Sequence, residues 1–198
     1  MKNFLRIAQN VQVMPLLLEL HRQPELWNRN PARLAEYGPH RESSDIWLRY
    51  KDETKHKERG DYSHFADEHH PIWYPAYYAL PAARPIIFNL MTGLNGESLG
   101  GVLIYKIPAG KRVYPHIDKG WHVDYHDRFN VYLQTDPRVV WRYPDTGEEF
   151  RAQTGDIYSV MNNIMHEVVN EGDVDNIVMT VCIHLDKGGR SCLSHTQD

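Results

Sequence analysis

Two textures of apolar and polar residues divide this chain. Up to Gly93 the apolar positions recur at helical spacing or gather in aromatic runs. From Leu99 they fall into short alternating runs separated by turn residues. In the first half, Val13 to His21 reads as a short amphipathic helix, with Pro15 in the first turn where a missing N–H costs nothing, and Pro24 closes it. Asn28 to Ser44 is rich in Arg, Asn, Pro and Ser, and the bulky residues of Ile46 to Tyr50 then predict a strand. Lys51 to Asp61 is charged, carries Gly60 and reads as an exposed loop. Pro71 to Leu80 holds Trp73, Tyr74, Tyr77 and Tyr78, a run that suits packing against a barrel better than the lining of a substrate entrance. Pro81 to Gly93 predicts a second helix, with Ile86, Ile87, Leu90 and Met91 on one side and Gly93 as its C-cap.

The second half predicts strands over Val102–Ile107, Val113–Asp118, Arg128–Thr135, Val139–Tyr143, Glu149–Ala152, Asp156–Met161, Glu167–Asn170 and Ile177–Leu185. Turns fall at Pro108-Ala109-Gly110, Pro144 to Gly147 and Glu171-Gly172-Asp173. About eight strands make a double-stranded β-helix, or jelly roll. The predicted class is therefore mainly β, a cupin-like double-stranded β-helix with N-terminal helices packed on the barrel. The expected organisation is one structural domain: a helical preface with a first strand over 1–98, the barrel over 99–186, and a polar, fraying tail over 187–198.

Composition narrows the partners. A formal net charge of −4 and the lack of any Lys/Arg run give no basis for nucleic-acid binding. The opening residues lack an apolar h-region, and Val11 to Leu20 is broken by Gln12, Pro15 and Glu19, so neither a signal peptide nor a membrane span is expected. Two cysteines, Cys182 in an apolar run and Cys192 in the tail, do not form a disulfide framework and point to a reducing cytoplasm. Oligomeric state leaves no trace in the sequence.

The chemistry concentrates at Tyr114-Pro115-His116-Ile117-Asp118. Side chains two apart on a strand share a face, so His116 and Asp118 can present an imidazole and a carboxylate to one metal. His166, in Met165-His166-Glu167-Val168-Val169-Asn170, supplies a third ligand after several intervening strands. Two His and one carboxylate with open opposite positions suit a non-haem Fe(II) centre. His64, His69 and His70 form another His-rich segment, but their spacing fits no common site and Pro71 follows directly, so they read as solvated loop residues.

On these residues the chain resembles the aspartyl/asparaginyl β-hydroxylase group of Fe(II)/2-oxoglutarate-dependent dioxygenases, in the small form common in phage and bacterial genomes. The matching pieces are Ile107-Pro108-Ala109-Gly110 before Tyr114-Pro115-His116, the strand Arg128-Phe129-Asn130-Val131-Tyr132-Leu133, and Gly155-Asp156 leading to His166-Glu167-Val168-Val169-Asn170. Leu17 to Trp27 and Ile46-Trp47-Leu48-Arg49 resemble the family's helical preface.

The resemblance implies that His116, Asp118 and His166 hold Fe(II). It also implies that 2-oxoglutarate and O2 are consumed, with release of succinate and CO2, as an unactivated C–H of a peptide side chain, amino acid or small metabolite is hydroxylated. Tyr105 by position, and Asn130 and Tyr132 on one strand face, are the implied co-substrate contacts. Where the family usually carries an arginine that pairs with the far carboxylate, this chain has Asn176, and an amide cannot form that bidentate, charge-assisted pair. Arg128 or Arg142 is the expected replacement. Trp121, His122 and His126 with Tyr125 are expected in a loop over the metal, where they touch substrate or pack among themselves. Two other readings use the same barrel: a cupin enzyme without 2-oxoglutarate, disfavoured because position 118 is Asp where a cupin's first motif has His, and a non-catalytic binding module.

Overall fold

The computed structural model describes residues 2–30, 33, 37–62, 65, 70–186 and 188. His64, His69, Cys192 and nearly all of the polar tail lie outside them. The chain forms β1 (Phe4–Ala8), α1 (Met14–Arg22), a 3-10 turn (Pro24–Leu26), β2 (Ser44–Lys51), α2 (Thr54–Arg59), β3 (Pro71–Trp73), α3 (Pro75–Ala79), α4 (Ala83–Gly93), β4 (Gly96–Ile107), β5 (Arg112–His116), α5 (Trp121–Tyr125), β6 (Asp127–Gln134), β7 (Val139–Tyr143), β8 (Glu148–Phe150), β9 (Ile157–Val160), β10 (His166–Asn170) and β11 (Asn176–Leu185).

Two antiparallel sheets face each other. The larger runs β1-β9-β6-β11-β4-β2-β3 and the smaller β5-β10-β7-β8. This is the expected cupin-like jelly roll, mainly β, extended at its edges by β1, β2 and β3.

Alternation in the central strands of the large sheet creates two interiors. Phe129, Val131 and Leu133 of β6, with Ile177, Met179 and Val181 of β11, join Leu16, Leu17 and Leu20 of α1 and Ile86, Ile87 and Leu90 of α4 in one core. The alternate residues Tyr132 and Val178 turn inward and pack with Val113, Trp141, Tyr143, Phe150 and Val168, largely from the small sheet. The helices close the outer face because their apolar residues recur at i, i+3, i+4 and i+7.

Several local predictions need correction. Lys51 to Asp61 is not all loop: Thr54–Arg59 closes one helical stretch, with Gly60 left-handed at φ 64 as its C-cap and no buried residue. The second helix runs through Gly93 to a cap at Leu94, and Asn95 adopts the left-handed conformation at φ 51. Phe4–Ala8 is a strand that alternation did not reveal, because it is a half-buried edge strand beside β9. The aromatic run packs as expected in part: Tyr74 is buried against Trp47, and its hydroxyl donates to the Lys51 carbonyl at 2.7 Å. Tyr78 remains 64% exposed. Gly155 is required where it stands, since at φ +87 a Cβ would lie 3.0 Å from the Val11 carbonyl oxygen that approaches it.

Candidate metal centre

The two candidate imidazoles meet across the small sheet. β10 pairs with β5 so that His166 lies directly opposite His116, and the ring centroids are 4.3 Å apart. Asp118 reaches them differently from the strand-face prediction. β5 ends at His116, and Asp118 sits in the following loop, its N–H donating to the Asn162 carbonyl at 2.9 Å. Ligand atoms of His116, Asp118 and His166 all lie within 4.8 Å of one another.

Each ligand is held in a donor-ready state. His116 Nδ1 donates to the Tyr114 carbonyl at 2.7 Å and His166 Nδ1 to the Ile164 carbonyl at 2.9 Å. Those bonds fix the tautomer that leaves Nε2 as the lone-pair nitrogen. His116 Nε2 is a buried atom with no hydrogen-bond partner, as a ligand atom awaiting a cation should be. His166 stacks on Trp141 at 5.2 Å and 2°. Burial, and then the neighbouring His116, push its pKa down to about 4, so it is neutral at physiological pH.

Asp118 has the opposite requirement. Burial disfavours its charge, but the Arg128 guanidinium, the adjacent His116 and a hydrogen bond from Asn162 hold the carboxyl well below the usual carboxylate range. Oδ2 accepts from Arg128 Nη2 at 2.7 Å and from Asn162 Nδ2 at 2.9 Å, while Oδ1 lies 3.4 Å from His116 Nε2. Arg128 and Asn162 therefore occupy one oxygen and aim the other at the metal position. Two imidazole nitrogens and one anionic oxygen form a donor set suited to a divalent first-row metal.

A cavity of about 460 Å³ opens onto His116 and Asp118. His116, Asp118 and Arg128 form its floor, with Trp121, His122, His126 and Lys119 on one side and Tyr50, Lys51 and Pro71 on another. The segment after the ligand pair is the short helix α5 rather than a loop. It is tied to β11, where His184 Nδ1 donates to the Tyr125 carbonyl at 2.6 Å and the two rings stack at 3.9 Å. Gly100 provides the space for His126: a Cβ there would lie 2.7 Å from the His126 Nε2. Burial, then the charge of Lys51, lowers His122 to about 4, and burial lowers His126.

Behind the triad lies a cavity of about 30 Å³, walled by Arg33, His40, Tyr105, Arg128, Trp141, His166 and Thr180 among others. The structure thus brings Tyr105 and Arg128 beside His116 and His166. Asn130 is buried one strand away; its Oδ1 accepts from Thr180 Oγ1 at 2.8 Å and its Nδ2 is unpartnered.

Three of the sequence-derived residues stand apart. Tyr132 is packed in the inward core against Phe150 and Tyr158. Arg142 points to the outer side of β7, near Glu149 and Glu167, with its side chain 37% exposed. Asn176 sits at the start of β11 opposite Ile107, completely buried and lining neither cavity. Arg33, His40, Asn162 and Thr180 are the neighbours that the sequence reading missed. The His40 ring meets His116 edge-on at 4.9 Å. Between Asn28 and Ser44 the sequence holds three arginines and a single histidine in no pattern that marks the segment for the site. A larger cleft of about 550 Å³ runs between β1, α1 and α4, but no titratable side chain lines it, so it offers no comparable chemistry.

Among the described residues no helix is long and apolar enough to cross a membrane. No protein-family model matches the chain, and no curated protein matches it in sequence. Solved structures do. A prolyl hydroxylase from Trichoplax adhaerens, solved with a peptide fragment of the hypoxia-inducible factor oxygen degradation domain, aligns over 96% of this chain and 86% of its own at 13% identity and a TM-score of 0.58. A prolyl-4-hydroxylase from Pseudomonas putida aligns over 93% of both chains at 15% identity and a TM-score of 0.52. An oxidoreductase of the 2OG-Fe(II) oxygenase family from Burkholderia pseudomallei aligns over 72% of this chain and 67% of its own at 9% identity and a TM-score of 0.50. At these identities the likeness is one of fold: this chain is built on the double-stranded β-helix that those three proteins share.

Proposed function

We propose that this protein is an Fe(II)/2-oxoglutarate-dependent dioxygenase that hydroxylates an unactivated C–H of a peptide side chain, an amino acid or a small metabolite. One observation carries the reading. His116, Asp118 and His166 bring their ligand atoms within 4.8 Å of one another on a jelly roll, with a buried, unpartnered Nε2 on His116. When bound there, iron with 2-oxoglutarate and O2 supplies the oxidising power, one oxygen atom entering the substrate as hydroxyl and the other leaving in succinate as CO2 is released.

The chain's own residues do the positioning. His116 and His166 would offer imidazole Nε2 atoms to the metal, and Asp118, kept ionised by Arg128 and Asn162, would partly balance its charge. Tyr105 and Thr180 wall the small cavity behind the triad and would receive the co-substrate's chain, with Asn130 holding the Thr180 hydroxyl. Trp121, His122 and His126 wall the open side, where substrate enters and water is excluded. The cavity's width and its aromatic wall favour a peptide side chain or a compact metabolite. The aspartyl/asparaginyl hydroxylase group remains the finer assignment we favour, on the motif residues around His116 and His166. We place the enzyme in a reducing cytoplasm, with Cys182 as a free thiol, and treat residues 1–98 as a preface packed on the 99–186 barrel.

Anaerobic loading with Fe(II), metal analysis, and a succinate assay after adding 2-oxoglutarate and O2 test this reading. One iron per chain with succinate release is expected. Neither iron nor succinate would sink the oxygenase reading in favour of a binding module; iron without 2-oxoglutarate turnover would move the protein to the cupin class.

A further inference from the structure

We propose that Arg33, seated on Asp45 and His40, is the residue that grips the far carboxylate of 2-oxoglutarate in this protein. The inference rests on the dioxygenase reading and supplies the anchor that position 176 lacks.

A 2-oxo acid chelating the metal through its oxo and adjacent carboxylate oxygens must extend its remaining carboxylate into the barrel. A buried carboxylate needs a cation and hydrogen-bond donors there, since desolvating it alone is prohibitive. Among the described residues lining the small cavity behind the triad, only Arg33 and Arg128 are permanently charged. Arg128 keeps a buried Nε without a partner, but its Nη2 holds the carboxylate of Asp118 at 2.7 Å, so its guanidinium is fixed to one of the three proposed metal ligands. Releasing it to bind a co-substrate would loosen an iron ligand.

Arg33 has no such conflict. Its Nη1 donates to Asp45 Oδ2 at 3.1 Å, and its Nη2 lies 3.4 Å from His40 Nε2. A guanidinium has five N–H donors in a fixed fork, so these contacts orient the group and leave donors for a ligand. Asp45 is fixed in turn, because its N–H donates to Asn28 Oδ1 at 3.0 Å and its strand pairs it with Tyr105, another wall of the cavity. His40 joins the two halves of the site, touching Arg33 on one side and the His116 ring at 4.9 Å on the other. The fork therefore lines the same small cavity as Tyr105, whose hydroxyl can donate to a carboxylate placed there, while the Thr180 hydroxyl is held on Asn130 Oδ1.

The test measures binding. Iron-loaded protein is titrated anaerobically with 2-oxoglutarate and with 2-oxopentanoate, which has the same chain length but a methyl in place of the far carboxylate, and the visible charge-transfer absorption of the chelate is followed. Wild-type protein is expected to prefer 2-oxoglutarate. Arg33→Gln combined with Asp45→Asn, which leaves no buried carboxylate unpaired, is expected to cut that preference by about 10- to 100-fold while both acids still chelate. Arg33→Lys, which keeps the charge without the fork, is expected to lose several-fold, and it decides the matter if the double variant does not fold. An unchanged preference overturns the assignment and returns the role to Arg128. Bound iron without a chelate band for either acid in the wild-type protein would instead overturn the dioxygenase reading, and this inference with it.

Discussion

The two faces of the seven-stranded sheet are made from the same strands and are built to different rules. Beneath α1 and α4, residue after residue is apolar: Phe129, Val131 and Leu133 on β6, Ile177, Met179, Val181 and Ile183 on β11. Facing the barrel, the alternate positions are mixed. Tyr132 and Val178 are core, while Arg128, Asn130, Thr180 and Asn176 put polar groups into a nearly dry interior. Burying such groups without partners costs more than burying methyls gains, so they persist where another requirement selects them. The outer face holds the fold together; the polar residues at one end of the inner face lie against the cluster of His116, Asp118 and His166.

Removing an inward ligand should separate those roles most sharply. His116→Ala or His166→Ala is expected to abolish iron binding by metal analysis, while circular dichroism stays that of the wild-type protein. Iron retained in both variants would refute the ligand assignment. The mirror experiment is Leu133→Ala on the outer face. Leu133 is completely buried in the helix-covered core, so the change should destabilise by about 2–5 kcal/mol. Iron affinity in the folded fraction should be unaltered; a parallel loss of iron would mean that the two faces are coupled.

A pH titration probes the inner face without mutation. His166 is held near 4 by burial and then by His116, against an ordinary value of 6.5, and burial also lowers His40, His122 and His126. A folded-state pKa below the unfolded value means that the unfolded chain takes up the proton first as pH falls. The stability of metal-free protein should therefore be fully present above about pH 6.5 and decline toward pH 4, with His166 alone contributing about 3 kcal/mol across that window. Denaturant midpoints measured from pH 7.5 to 4 check this, and a flat profile would mean that His166 is protonated in the folded state as readily as in the unfolded one.

The same contrast explains what could be read without coordinates. The outer face writes itself into the chain as alternation and as the helical spacing of Ile86, Ile87 and Leu90, so the strands of the barrel and the two main helices were legible. The residue types of His116, Asp118 and His166 singled them out as candidate ligands, and the fold brings the three together. The route of Asp118 to the site was not, since a loop held by the Asn162 carbonyl leaves no periodicity. Arg33 and His40 were equally hidden. They come from a polar stretch without a strand or helix pattern, and only tertiary packing sets His40 against His116. Arg142 misled for the opposite reason: it is on a barrel strand as expected, but alternation turns it outward from Trp141.

Asn176 offers the finest test of the comparison, because it carries inward polarity away from both cavities. It is completely buried, and neither its Oδ1 nor its Nδ2 has a hydrogen-bond partner. An amide in that condition forfeits its hydration and recovers nothing, a cost of about 1–3 kcal/mol. Asn176→Leu keeps a similar volume and removes the unpaired groups, so it should raise stability by about 1 kcal/mol in denaturant unfolding and leave the affinities for iron and 2-oxoglutarate unchanged. A variant that binds 2-oxoglutarate more weakly would show that the amide reaches the co-substrate. One that loses stability would show that the amide is satisfied in solution. In either case the polar inner face would extend to the closed end of the barrel, and the division between structural and chemical interiors would run between the sheets instead of across one end of them.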